Sequence, residues 1–155
     1  QIQLLVDIAE NNGAHVSHVK PHGALYNKAA TNDEIAQSIG EAIIQVDPAL
    51  KAMGLAGSTM ITCFDELGLE TIGEAFADRS YENDGNLRNR KYDDSLITDP
   101  IKAANQAKNI SNGFVICVDG SKIDIHAKTL CIHSDTPNAV AIASAVKDIF
   151  EREEE

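Results

Sequence analysis

The chain has 155 residues, 43% hydrophobic and 24% charged, which suffices for a single globular domain spanning 1–155. Its net charge of −11 argues against nucleic acid as a partner, and no apolar run approaches the roughly 18 residues of a membrane span. Cys63, Cys117 and Cys131 lack metal-site spacing and lie in apolar contexts, so we expect buried free thiols and a reducing compartment, the cytoplasm. The run 151–155 is predicted to be an acidic tail.

Hydrophobic periodicity and turn residues predict alternating helices and strands. The first half of the chain is predicted to contain a helix at 1–12, a strand at 15–20, a loop around His22, a helix to about 46 opened by a capping box of Thr31 and Glu34, and a strand at 51–56. A helix at 57–67, a strand at 71–75 and a long irregular loop at 78–98 follow. The last part is predicted to contain a helix from Asp99 and Pro100 to about 110, a hairpin of 114–118 and 122–126, a strand at 129–133 and a last helix after Pro137.

This alternation is typical of α/β proteins with parallel βαβ units. A complete (β/α) barrel takes roughly 250 residues. The chain has 155 residues and only about four such strands, so we expect it to be part of a barrel. Its open sheet edges would make self-association plausible.

Polar side chains follow three of the predicted strands. The clusters are Lys20, His22, Tyr26 and Asn27; Glu74, Asp78, Arg79 and Tyr81; and His133, Asp135 and Thr136. The carboxyl ends of parallel strands meet at one rim, so we expect the three clusters to converge. His can act as acid, base or metal ligand near neutral pH, and Lys and Arg can hold a carboxylate or phosphate.

Each cluster also has a structural interpretation. A His at a strand end is often only hydrogen bonded, and Asp78 with Arg79 would make a local ion pair. Asp135 or Thr136 would cap the last helix. His15 and His126 lack polar neighbours in the sequence and are interpreted as structural.

Four segments together resemble the LamB/YcsF family, whose characterised members belong to bacterial 5-oxoprolinase as one of its subunits. They are VKPHGALYN at 19–27, EAFADRSY at 74–81, DGNL at 84–87 and CIHSDTP at 131–137. The first two are long and specific. The family usually has Val-Pro where this chain has Arg88-Asn89, and Gly in place of Ser134.

The resemblance implies a seven-stranded (β/α) barrel of the glycoside hydrolase/deacetylase type. It also implies ATP-dependent opening of 5-oxo-L-proline to L-glutamate, together with partner subunits B and C. Family members begin with an Asp-, Asn- and Glu-rich segment and a Cys-Gly-His-Ala-Gly segment, which are not found in this sequence. We therefore expect the chain to be the C-terminal portion of the barrel.

Within this activity we assign candidate roles to the polar clusters. The catalytic candidates are His22, Asp78 and His133; the substrate-binding candidates are Lys20, Tyr26, Asn27, Glu74, Arg79 and Asp135; and the candidate ligands of a possible divalent metal are His22, His133 and Asp135. Asp78 would orient or activate water. No GxxxxGK[ST] motif occurs, so ATP would bind with the partner subunits or at an unrecognised site.

Two other functions remain open at this point. One is a metal-dependent hydrolase resembling polysaccharide deacetylases, which would need a stoichiometric metal and no ATP. The other is a non-catalytic subunit that only presents substrate to its partners. A third possibility is that the fragment by itself is inert.

Overall fold

The computed structural model describes residues 1–151, so the predicted acidic tail lies outside the described residues except for Glu151. The chain divides into two compact units, one from Gln1 to Gly73 and one from Glu74 onward. The single domain predicted for 1–155 stays a prediction.

Helices and strands alternate along the described residues as the sequence predicts. The helices are α1 (Ile2–Asn11), α2 (Gly23–Ala29), α3 (Asp33–Val46), α4 (Thr59–Glu66), α5 (Pro100–Ser111) and α6 (Ala139–Glu151), with one turn of 3₁₀ helix at Asp93–Ser95. The strands are β1 (His18–Val19), β2 (Lys51–Leu55), β3 (Thr71–Phe76), β4 (Phe114–Ile116), β5 (Lys122–Asp124) and β6 (Thr129–Cys131).

Parallel strand pairs occur in each unit. In the first unit β1 runs parallel to β2, with His18 opposite Lys51. In the second unit β3 runs parallel to β6, with Phe76 opposite Cys131, while β4 and β5 form the predicted antiparallel hairpin. The predicted α/β class with parallel pairing is confirmed. The strand pairs of residues 1–151 do not close into a barrel, which is compatible with the partial barrel expected.

The first unit departs from the predicted elements at two helix starts. The loop predicted around His22 is confined to the residues before Gly23, because α2, which the sequence analysis did not predict, begins at Gly23 with a φ of +60° that suits glycine. Pro21 and Gly23 suggested a longer irregular segment, but Pro21 lies before the helix and Gly23 is its first residue. The predicted capping box is also wrong, because Asn32 caps α3 by accepting the Ile35 N–H at 2.9 Å.

The core of the second unit lies between α5 and α6. Small side chains of α5 let α6 approach closely, and the residue that follows β3 contributes to the same cluster. Its buried members are Ala77, Ala103, Ala104, Ala107, Ile142 and Val146. Helix α5 begins as predicted, since the Asp99 carboxylate accepts the N–H groups of Ile101 and Lys102 at 2.9 Å. Because Ala77 is in this core, the position of the next residue, Asp78, is determined by packing.

Two further expectations concern the chain as a whole. Cys63, Cys117 and Cys131 are free thiols, as predicted, although only Cys117 is buried. Within residues 1–151 no helix combines the length and the apolar character that crossing a bilayer requires.

Candidate active site

Asp78 is the centre of the candidate site in the second unit. Its side chain is fully buried, and its carboxylate accepts three kinds of hydrogen bond. The His133 backbone N–H donates at 2.8 Å, the Thr136 hydroxyl donates at 2.6 Å, and the His133 ring Nδ1 lies 3.1 Å from both carboxylate oxygens. Asp78 therefore links the end of β3 to the turn that follows β6.

The Asp78 carboxylate is ionised at neutral pH in spite of its burial. Burial raises the pKa of Asp78, but the hydrogen bonds from His133 and Thr136 and the proximity of the His133 ring outweigh burial and hold the pKa below its ordinary value. An ionised carboxylate only accepts hydrogen bonds, so Nδ1 of His133 carries the proton. The neutral ring then has its lone pair on Nε2.

The His133 ring is also held from its face. It stacks on the Phe76 ring with centroids 5.3 Å apart and an interplanar angle of 15°. The His133 side chain is 26% exposed, so part of it faces solvent. The ring is thus oriented from two sides and still accessible, as a general base or a metal ligand must be.

Gln106 holds the backbone on both sides of Asp78, a role that our sequence analysis missed. It lies buried on α5, and its Nε2 donates to the carbonyls of Phe76 and Arg79 at 2.7 Å, with Ala77 O at 3.3 Å. The signal in the sequence is a lone amide among the small apolar residues of the inner face of α5. Buried polar side chains usually have such backbone partners.

Arg79 faces other partners than Asp78. The guanidinium is buried, and it donates from Nε to Ser95 O at 3.3 Å and from Nη2 to Arg88 O at 2.7 Å. Burial and the charge of Arg90 lower the pKa of Arg79, against the opposing effect of nearby acidic groups. The ion pair predicted between Arg79 and Asp78 is therefore wrong. Arg79 instead anchors the predicted irregular loop by binding its backbone carbonyls.

Glu74 and Tyr81 are interior groups of the same unit. Glu74 is only 1% exposed on β3, and the Tyr81 hydroxyl accepts the Phe76 N–H at 2.8 Å. Burial, reinforced by the charge of Glu74, raises the pKa of Tyr81 far above its ordinary value. Tyr81 is therefore a neutral phenol at any physiological pH, and it fixes the same end of β3 that leads to Asp78.

Asp135 and Thr136 have roles other than the predicted helix cap. Helix α6 begins at Ala139, and the Thr136 hydroxyl donates to Asp78. The Asp135 carboxylate accepts from Arg90 Nη1 at 2.9 Å. The predicted cap is thus wrong, because both side chains are engaged by residues distant in the sequence.

The remaining candidates belong to the first unit. Lys20 Nζ lies 5.8 Å from the centroid of the Tyr26 ring, which is buried. His22 is the exposed N-cap residue of α2 and makes no side-chain cap hydrogen bond, and Asn27 is exposed on the helix. The predicted convergence of His22 with the second unit stays a prediction.

The described residues contain no ready-made metal site. Within residues 1–151 no three His, Cys, Asp or Glu side chains come together in a way that could hold a metal ion. His133 and Asp135 supply two candidate donors, and Asp135 is already paired with Arg90.

Comparison with known proteins places the chain in a family. All of residues 1–155 match the LamB/YcsF family. The 5-oxoprolinase A-subunit of Chloroflexus aggregans is 45% identical over 148 residues, which cover 95% of this chain and 59% of that protein. The corresponding 5-oxoprolinase A-subunit of Shouchella clausii is 44% identical over 153 residues, covering 98% and 60%.

A solved structure shares the fold. The crystal structure of a lactam utilization protein from Thermus thermophilus superimposes with a TM-score of 0.89 at 38% identity, covering 99% of this chain and 62% of that one. The chain thus spans about three fifths of the length of these relatives. The match over its whole length shows that the chain belongs to the LamB/YcsF family.

Proposed function

We propose that this chain contributes the hydrolytic centre of a 5-oxoprolinase, which opens the lactam of 5-oxo-L-proline to give L-glutamate in the cytoplasm. The Asp78–His133 pair is the observation that carries the proposal, because it leaves Nε2 as the basic nitrogen of an oriented ring whose side chain is partly exposed. The relatives named for 5-oxoprolinase and for lactam utilization support the substrate class.

The proposed chemistry follows from the lactam bond. Its C–N bond has partial double-bond character, so opening it requires attack on the carbonyl carbon and a proton for the departing nitrogen. His133 Nε2 takes a proton from water as the water oxygen bonds to that carbon. The same proton passes to the ring nitrogen as the C–N bond breaks. The products are the new carboxyl group and the free amine.

Asp78 acts in this scheme through His133. Because the carboxylate is fully buried, water cannot reach it, so we replace its predicted role of activating water with a positioning role. It fixes the tautomer of His133 and stabilises the imidazolium that forms while the ring carries the transferred proton. Gln106 and Thr136 hold Asp78 in turn.

ATP is proposed to enter the reaction with partner subunits B and C. When bound, ATP would supply a phosphoryl group that activates the lactam oxygen. The sequence contains no GxxxxGK[ST] loop, so the residues present do not fit the known phosphate-binding loop. No step is assigned to ATP on this chain, and none is assigned to a metal. His22, Lys20, Tyr26 and Asn27 are proposed as substrate contacts.

The test compares two histidines of the second unit in the full-length protein with its partner subunits. His133→Ala should lower the turnover of 5-oxo-L-proline by about 10²- to 10⁴-fold, the usual contribution of a general acid or base. His126→Ala is the matched control, since His126 is exposed, and it should retain wild-type turnover.

Other outcomes would favour the two rival functions. Unchanged turnover in the His133→Ala protein, with substrate still bound, would favour a non-catalytic presenting subunit. Turnover that needs no ATP but is abolished by a chelator and restored by a stoichiometric divalent metal would favour a metal-dependent hydrolase.

A further inference from the structure

We propose that Arg90 binds the carboxylate of the substrate and that Asp135 occupies Arg90 until the substrate arrives. The inference rests on the proposed function and adds the group that selects the ligand class, a small lactam bearing a carboxylate. It starts from the ion pair between Arg90 Nη1 and Asp135 Oδ2, which are 2.9 Å apart.

The location of this ion pair links it to the candidate base. Asp135 stands two positions after His133, and the His133 ring acts electrostatically on its carboxylate. Arg90 belongs to the loop that Arg79 anchors through the carbonyls of Arg88 and Ser95. The loop therefore presents the Arg90 guanidinium beside the turn that carries His133.

The other two arginines of this loop are less available than Arg90. Arg79 is buried and gives two of its nitrogens to backbone carbonyls. Arg88 is held between two carboxylates, Glu82 at 2.8 Å and Asp94 at 2.6 Å. Displacing Arg88 would break two ion pairs, whereas freeing Arg90 breaks one.

The Arg90–Asp135 pair is suited to exchange. The Arg90 side chain is 47% exposed and that of Asp135 is 65% exposed, and ion pairs so open to water contribute little to stability. A substrate carboxylate can replace Asp135 on the same guanidinium with a bidentate geometry that arginine favours. Asp135 keeps the long side chain ordered before binding, which reduces the entropy lost when the ligand binds.

The substrate also needs a cation for electrostatic reasons. Asp78 and Asp135 place two negative charges around His133, and the whole chain carries a net charge of −11. An anionic substrate would be repelled unless a positive group received it. The guanidinium groups of Arg79 and Arg90 lie close enough to each other to interact electrostatically. Of the two, Arg90 is the exposed one.

The experiment measures binding of two ligands that differ only in the carboxylate. Calorimetry on the full-length protein compares 5-oxo-L-proline with 2-pyrrolidinone for wild type, Arg90→Gln and Arg90→Lys. Arg90→Gln should weaken the binding of 5-oxo-L-proline about 10- to 100-fold, the range for losing a charged hydrogen-bond partner. The affinity for 2-pyrrolidinone should stay nearly unchanged. Arg90→Lys should restore part of the loss, because it keeps the charge without the fork.

Two further variants complete the experiment. Lys91→Gln is the matched control, since Lys91 is the neighbouring cation and packs on the Tyr92 ring instead of pairing with Asp135. This variant should bind both ligands with wild-type affinity. Asp135→Asn should bind 5-oxo-L-proline as well as or better than wild type, because the neutral amide competes less for Arg90 and its oxygen can still accept a hydrogen bond that keeps Arg90 ordered. A tenfold loss in that variant would overturn the proposed role of Asp135.

Failure of this inference is distinct from failure of the proposed function. An equal effect of Arg90→Gln on both ligands, or no effect on either, would overturn the role of Arg90 even if turnover depended on His133. Carboxylate-selective binding that depends on Arg90, in a complex whose turnover ignores His133, would leave the inference standing and remove the catalytic proposal.

Discussion

The ring Nδ1 of His133 lies 3.1 Å from the Asp78 carboxylate, although the two residues are 55 positions apart in the sequence. The register of the parallel strands explains the contact. Phe76 pairs with Cys131, and Asp78 and His133 each follow two residues later. Because parallel strands leave the sheet in the same direction, the register brings the acid and the imidazole together.

Asp78→Asn should both destabilise the protein and reduce turnover. The amide cannot accept from His133 and Thr136 as the buried carboxylate does, so we expect the free energy of unfolding to fall by about 2–4 kcal/mol. Urea unfolding of the full-length protein measures the loss. Asp93→Asn, at an exposed carboxylate, is the control and should change stability by less than about 0.5 kcal/mol. Equal effects would show that the Asp78 contacts contribute little.

The stability difference between wild type and Asp78→Asn should depend on pH. The folded-state pKa of Asp78 lies below that of the unfolded chain, so its stabilisation is fully present above the unfolded value of about 3.9. The difference should then shrink as the pH falls from there towards the lower folded-state pKa. Unfolding measured in steps from pH 7 to 3 tests this, and a difference that grew with acid would contradict the lowered pKa.

Gln106→Leu should leave the carbonyls of Phe76 and Arg79 buried without their donor. We expect a loss of about 2–5 kcal/mol, because each of these two buried carbonyls loses the hydrogen bond from Gln106. Asn105→Leu, at an exposed neighbour on α5, should be close to neutral. If Gln106 also positions Asp78, the variant should alter the pH profile of turnover, which a purely structural role would leave unchanged.

The start of α3 distinguishes two caps by mutation. Asn32→Ala should cost about 1 kcal/mol, because the Asn32 side chain accepts the Ile35 N–H. Thr31→Ala should cost clearly less, since Thr31 lies outside that bond. Thermal unfolding of the two variants side by side decides the point. A larger loss for Thr31→Ala would restore the capping box that the sequence predicts.

Local features of this chain were predictable from the sequence. The start of α5 at Asp99 and Pro100, the hairpin of β4 and β5 and the alternation of helices and strands depend on neighbours within a few positions. The segments 74–81 and 131–137 marked both halves of the candidate site and indicated the family. These signals can be recognised in the sequence because helix periodicity, capping and turns depend on residues that are close together in the chain.

The tertiary structure decided which of these residues meet. The sequence suggested Arg79 as the partner of Asp78. In the structure the register of β3 and β6 places His133 within hydrogen-bond distance of Asp78 instead. Packing of α5 places Gln106 against the backbone next to Asp78. The loop that Arg79 anchors places Arg90 beside Asp135. Such contacts depend on register and side-chain direction across the fold, which no pattern of neighbouring residues records.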